Sequence, residues 1–337
     1  MIVKEEGRFS TCPSNLKNKI YFLTFSYLFF SYTKVMDIRY DQPSTIENSY
    51  KSILGQRPLW DWRHSKFYWI DIYEKLLIET DILFEKEKKI FIPEGITNIF
   101  LKDTNSFIIS SIDSIFDYDL KINRKSLIKK INALDKGNRI NDGAIDLEGN
   151  LWLSTMNQSQ TFSTGEILYY SKRLEEAYSD KSYIISNGPI FDYGRKRGYV
   201  TDSIKRIIYY FSTNEENGIQ NKKIFLSFSL TDGNPDGMTI DKGGNLWVAM
   251  WGTGKVCCFN KDAQLKLILQ LPVSKVTSCT FGGLDLNTLY ITTASIGLNE
   301  VEYERQPHAG KIFTYQTKEE GYRDNCFQLE SSRGLLN

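Results

Sequence analysis

The segments DLEGNLWLSTM (146–156) and DKGGNLWVAMW (241–251) are near-copies, and each reads as a short strand, a tight Asp-x-x-Gly-Asn turn and an alternating Leu-Trp strand. Weaker versions recur at WDWRHSKFYWIDI (60–72), KDTNSFIIS (102–110), FDYGRKRGYVTD (191–202) and LDLNTLYITTA (284–294). The aromatic after each turn serves as a ruler: Tyr68, Phe107, Trp152, Tyr199, Trp247 and Tyr290. Successive gaps are 39, 45, 47, 48 and 43 residues. Six strand-turn-strand units at this period predict an all-β, single-domain, six-bladed β-propeller, one four-stranded blade per unit. Function in such a fold belongs in the central channel and its mouth.

Composition is compatible with that reading. The 337 residues are 41% hydrophobic and 14% aromatic, enough for a large core, and the surplus of Tyr and Phe suits β-structure. With 42 basic and 41 acidic residues there is no global footprint for nucleic acid or an anionic membrane. Five cysteines without C-x-x-C spacing speak against a disulfide framework or a zinc site, and reduced thiols in the cytoplasm are the expectation. Cys257 and Cys258 are strand neighbours that point to opposite faces. The two histidines, His64 and His308, lie outside any ligand pattern, and His64 falls in a turn.

The ends fit the repeat poorly. Residues 1–43 form a non-conforming extension, the propeller is expected over 44–317, and polar residues 318–337 read as a loose tail. IYFLTFSYLFF (20–30) is too short to span a bilayer. As a signal core it follows Lys17 and Lys19 but lacks a small-residue cleavage site. Secretion would require it to act as one, and a functional start at Met36 is the equal alternative.

Counting back 11 or 12 residues from the ruler aromatics reaches the start of the innermost strands. The residues there are Gln56, Asn141, Asn187, Asp236 and the pair Ser278–Cys279. Equivalent rungs of inner strands face one another around a propeller axis, so these groups should point into one small space. Singly, such residues also cap turns by local hydrogen bonds, and only the shared register argues for a site. Oxygen donors without histidine or thiolate suit a hard cation, Ca²⁺ before Mg²⁺ or Mn²⁺. Asp146, Asn150, Asp241 and Asn245 read as turn formers, because their turns lack the alternating oxygens of a calcium loop.

At these residues the chain resembles the regucalcin family of senescence marker proteins, gluconolactonases and insect luciferin-regenerating enzymes. The matching segments are LGQRPLWD (54–61), NRINDGAIDLEGNLWLSTM (138–156), GEILYY (165–170), SNGPIFD (186–192), NPDGMTIDKGGNLWVAMW (234–251), LPVSKVTSCTFGG (271–283) and RQPHAGKIF (305–313). The resemblance implies one divalent cation at the axis, Ca²⁺ first, with Zn²⁺, Mn²⁺ or Mg²⁺ as alternatives. It implies Asn187 and Asp236 as ligands, and Arg139 and Asn141 as the residues that hold a sugar lactone. A departure lies at Leu54-Gly55-Gln56-Arg57-Pro58, where the family has Glu and a small residue in place of Gln56 and Arg57. Strand alternation should turn Arg57 away from the site. An acidic residue of the family is also missing after Met156, where Asn157, Gln158 and Ser159 stand.

Three functions follow as expectations. The first is metal-assisted hydrolysis of a small lactone, with Asp236 as ligand and general base and Gln56 as the third metal ligand. Asp142 is expected to stabilise a strand-start turn. The second is a catalytically weak protein that binds calcium or a small ligand, favoured by Gln56. The third, a bare interaction scaffold, predicts no polar convergence at the axis.

Overall fold

A computed structural model describes residues 38–82, 86–103, 105–131, 137–214 and 218–330, all within one compact unit. The expectations for residues 1–37, including the apolar stretch 20–30 and a start at Met36, lie outside the described residues.

Six antiparallel sheets are laid down in chain order, each counted from the inside outward. The first comprises Gly55–Asp61, Lys66–Asp71, Leu76–Asp81 and Lys86–Phe91. The second comprises Asn98–Leu101, Ser106–Ser110, Ser114–Asp119 and Arg124–Lys130, and the third Asn138–Ile145, Leu151–Asn157, Gly165–Tyr170 and Glu176–Tyr183. The fourth holds Ser186–Asp192, Arg197–Asp202, Ile207–Asn214 and Gly218–Ser227. The fifth holds Asn234–Ile240, Leu246–Trp251, Lys255–Phe259 and Leu265–Gln270. In the sixth, Val276–Gly282, Thr288–Thr293 and Phe313–Gln316 are completed by Ser44–Thr45 from the other end of the chain. That exchange closes the ring, and Arg39–Asp41 adds a parallel strand outside Leu265–Gln270. The inner strands contact one another in order, the last against the first.

Each ruler aromatic lies on the second strand of its blade and is at most 3% exposed. Strand alternation explains how one strand serves two interfaces. Tyr68 packs with Phe107 between the first and second blades, whereas its neighbour Phe67 packs with Tyr290 between the first and sixth. Cys257 and Cys258 divide in the same way between two different clusters. Truncating one of these large side chains to Ala should cost about 3–5 kcal/mol.

The repeated turns hold the ruler tryptophans directly. Asp146 accepts from the Asn150 amide N–H at 2.8 Å and from the Trp152 indole at 2.9 Å, and Asp241 does the same with Asn245 and Trp247 at 2.8 and 2.9 Å. Gly149 and Gly244 take φ of 86° and 78°, which a side chain would disfavour. These four polar residues are turn formers, as their pattern indicates.

The expectation of a loose tail does not hold for residues 318–330, which cross the end of the channel where the inner strands finish. Lys242 N–H donates to Glu320 O, Gly321 N–H to Leu286 O and Phe327 N–H to Leu101 O. The Trp62 indole donates to Asp324 O, the Asn325 amide to Ile145 O, and Tyr193 packs edge-on against Tyr322. The strap therefore touches all six blades. It has no periodic pattern because its backbone bonds go to scattered strand ends and turns rather than along one neighbouring strand.

Candidate active site

Five of the six inner strands shift register within their first turn of residues. The irregularities fall between Gln56 and Leu59, Ile140 and Asp142, Asn187 and Ile190, Pro235 and Met238, and Val276 and Ser278. A β-bulge re-aims side chains and is common beside functional sites. Here the bulges fall near the starts of five inner strands, at or beside the polar rung residues.

The rung residues meet there in linked pairs. Gln56 donates through Nε2 to Asp236 Oδ2 at 3.3 Å, across the channel from the first blade to the fifth. Asn141 donates through Nδ2 to Asn187 Oδ1 at 3.1 Å and to Ser186 O at 2.9 Å. Asn187 is fixed in turn by its own Nδ2 bond to Ser203 Oγ at 2.9 Å. Asp236 and Asn187 are buried, at 9% and 2% exposure. Ser278 packs against Gly237, where a Cβ would stand 2.2 Å from Ser278 Oγ, so glycine beside Asp236 is a steric requirement. Cys279 instead faces the core between the fifth and sixth blades.

Asp142 does more than stabilise its own turn. Its Oδ1 accepts from Gly143 N–H at 2.8 Å and its Oδ2 from Gly188 N–H at 2.7 Å, which ties the third blade to the segment carrying Asn187. Burial pushes the Asp236 carboxyl up to about 8, with Asp142 adding to the shift and Gln56, Gly237 and Arg139 opposing it. Burial likewise raises Asp142, against the pull of Arg57 and its two amide donors. Arg139 is lowered by burial to about 10, so it stays cationic at neutral pH, and its Nη1 bonds Ile140 O at 2.9 Å.

Arg57 is a correction. Alternation assigns it to the face away from the site, yet it lines the channel beside Asp142. The bulge and a left-handed backbone (φ 50°) break the alternation there. Its Nε donates to Ile99 O at 3.3 Å and its guanidinium lies 4.7 Å from the Phe100 ring centre.

Counting back from Phe107 gives no polar rung in the second blade. The structure supplies Asn98, fully buried, whose Nδ2 reaches Ser110 Oγ at 3.1 Å and Asn141 O at 3.4 Å. Its Oδ1 has no hydrogen-bond partner among the described residues. At the positions where the family acid is missing, Asn157 Oδ1 accepts from Ser159 Oγ at 2.5 Å and from the Thr161 and Phe162 amides at 3.4 Å, so it organises its own loop.

The donors fit a hard cation. Gln56 and Asn187 offer amide oxygens and Asp236 a buried carboxyl, which is oxygen chemistry suited to Ca²⁺ or Mg²⁺. No group of three or more His, Cys, Asp or Glu able to hold a metal occurs among the described residues, as expected for a set rich in amides.

Fold and site together define a six-bladed propeller whose inner strands pair amide and carboxyl side chains near the axis. The chain matches the SMP-30/Gluconolactonase/LRE-like region over residues 54–295 and belongs to that family. A 6-deoxy-6-sulfogluconolactonase of Pseudomonas putida is 26% identical over 277 residues, 82% of this chain and 95% of that one. Regucalcin of Xenopus laevis is 26% identical over 277 residues, 80% of this chain and 91% of that one. The crystal structure of a calcium-binding regucalcin from Agrobacterium tumefaciens shares the fold, with a TM-score of 0.80 at 22% identity over 87% of this chain and 99% of that one.

Proposed function

We propose that this protein is a divalent-cation-dependent lactonase that opens sugar lactones at the axial pocket. The observations that support the reading are the hydrogen-bonded pairs Gln56–Asp236 and Asn141–Asn187 and the charge of Arg139 acting on Asp236, in a chain of this family. Gln56, Asn187 and Asp236 would hold the ion, calcium first by ligand hardness. A bound divalent ion supplies Lewis-acid polarisation of the lactone carbonyl and acidification of water. Arg139 donates hydrogen bonds to the substrate carbonyl or hydroxyls, and Asn141 orients the ring. Asp236, which a bound cation would keep ionised, would accept the proton of the attacking water at a carboxylate oxygen. Asp142 holds Gly188 and so fixes where Asn187 presents its oxygen.

Gln56 favours a second reading, a catalytically weak cation- or small-ligand-binding protein. It brings no negative charge, and it spends its amide N–H on Asp236. Cation affinity depends on the number of charged ligands. Assay of glucono-δ-lactone hydrolysis with Ca²⁺, Mn²⁺, Zn²⁺ or Mg²⁺ separates the two. Turnover that needs metal and disappears in Asp236→Ala supports the lactonase. A folded protein that binds cation without turnover supports the second.

The free cysteines Cys257, Cys258, Cys279 and Cys326 favour a reducing compartment such as the cytoplasm. No helix among the described residues is long and apolar enough to cross a membrane.

A further inference from the structure

We propose that Arg57 is a resident cation of the channel that weakens uptake of a divalent ion at the axial site, and that Asp324 of the C-terminal strap, on the same cavity, offsets part of its charge. The inference rests on the axial cation reading above and extends it to residues on the opposite side of the pocket.

Below the rung of site residues the channel opens into a cavity of about 90 Å³, walled by all six inner strands and floored by Tyr322, Arg323, Asp324 and Asn325. Arg57 and Asp142 line it together with Asp324. The guanidinium is positioned by the Ile99 carbonyl and the Phe100 ring, leaving its charge to the two carboxylates. Both carboxylates feel it: Arg57 opposes the upward shift that burial imposes on Asp142 and on Asp324. Asp324 has little freedom to leave. Its carbonyl takes the Trp62 indole at 3.0 Å, and the next residue, Asn325, bonds Ile145 O at 3.1 Å and the Tyr193 hydroxyl.

The consequence is a charge balance specific to this chain. Asp142 stands close enough to Asp236 to disfavour its ionisation, and Arg57 adds a fixed positive charge on the Asp142 side. An arriving divalent ion is therefore attracted by Asp236 and Asp142 and repelled by Arg57, in a low-dielectric channel where such effects are large. Asp324, across the same cavity, offsets part of that charge and limits the repulsion. Gln56 and Arg57, adjacent in sequence, act in the same direction.

Calcium calorimetry and thiol labelling test this in the full-length protein. Arg57→Met removes the charge and keeps an apolar chain on Phe100, and Arg57→Lys keeps the charge. Arg57→Met should bind calcium about tenfold more tightly, the lower end of what changes around metal ligands produce, and Arg57→Lys should stay within about threefold of wild type. Asp324→Asn should bind more weakly, and this loss should vanish in the Arg57→Met background, because Asp324 acts through Arg57. Labelling of the half-buried Cys326, read by peptide mass mapping, reports strap docking without reference to any cation. It should quicken in Arg57→Met and Asp324→Asn but not in Arg57→Lys. Equal calcium affinity in wild type and Arg57→Met, or an Asp324→Asn effect of the same size in both backgrounds, would overturn the proposal while leaving the axial site intact. Absence of calcium binding in every variant would overturn the axial reading as well. Unchanged Cys326 labelling would remove the strap from the account.

Discussion

Gln56→Glu is the most informative single substitution. Gln56 Nε2 lies 3.3 Å from Asp236 Oδ2, so the change converts a hydrogen bond between two candidate ligands into a pair of acids. Two full charges at that spacing repel by about 5 kcal/mol at an effective dielectric of 20. Without cation the pair avoids this cost by retaining a proton, which adds to the upward shift already present at Asp236. With a divalent ion between them both ionise and the ligand set gains a negative charge. Calcium affinity should rise by at least about tenfold, a gain of about 1.4 kcal/mol. Calorimetry at pH 8 gives the affinity directly. Thermal melts give an independent reading, because calcium at a hundred times its Kd should add about 2.7 kcal/mol of stability. The metal-free variant should melt below wild type and the calcium-loaded variant above it. Equal affinities in variant and wild type would place position 56 outside the coordination sphere and refute the reasoning.

Other consequences can be measured on the wild-type frame. Because Asp236 titrates near 8, calcium must displace its proton at lower pH. Affinity should rise by close to tenfold per unit between pH 6 and about 8 and then level off, and calorimetry in buffers of different ionisation enthalpy should show proton release at pH 7. The same shift, upward from 3.8, means that the metal-free protein loses stability as pH rises from about 4 toward 8; a melting temperature that rises over this interval would contradict it. Asp241→Ala strands the Asn245 amides and the Trp247 indole and should cost about 2–4 kcal/mol in denaturant unfolding. An exposed neighbour of the equivalent turn, Glu148→Ala, should stay within about 0.5 kcal/mol.

The fold was legible because its signals are local and repeated. An Asp that holds both a Gly-Asn turn and the following Trp must recur at fixed spacing, and Asp146 and Asp241 show the same bonds at the same distances. The polar rung was legible for the same reason, since equal spacing from a ruler aromatic means equal height in the blade. The bulges were not. Register depends on how two strands pair, which no single strand records, so Arg57 was assigned to the wrong side. Asn98 escaped because it stands nine residues before Phe107, on an inner strand of only four residues, Asn98–Leu101. The strap escaped because Asp324 and Asn325 make their contacts with a turn and a strand end of distant blades, and such pairings leave no period.

Hydrolysis of glucono-δ-lactone by the purified protein, with and without divalent cations and beside Asp236→Ala, tests the central claim most directly. The account predicts turnover that requires a cation and is lost in the variant. A folded, cation-loaded protein that leaves the lactone intact, or an Asp236→Ala variant that turns it over as fast as wild type, would contradict it.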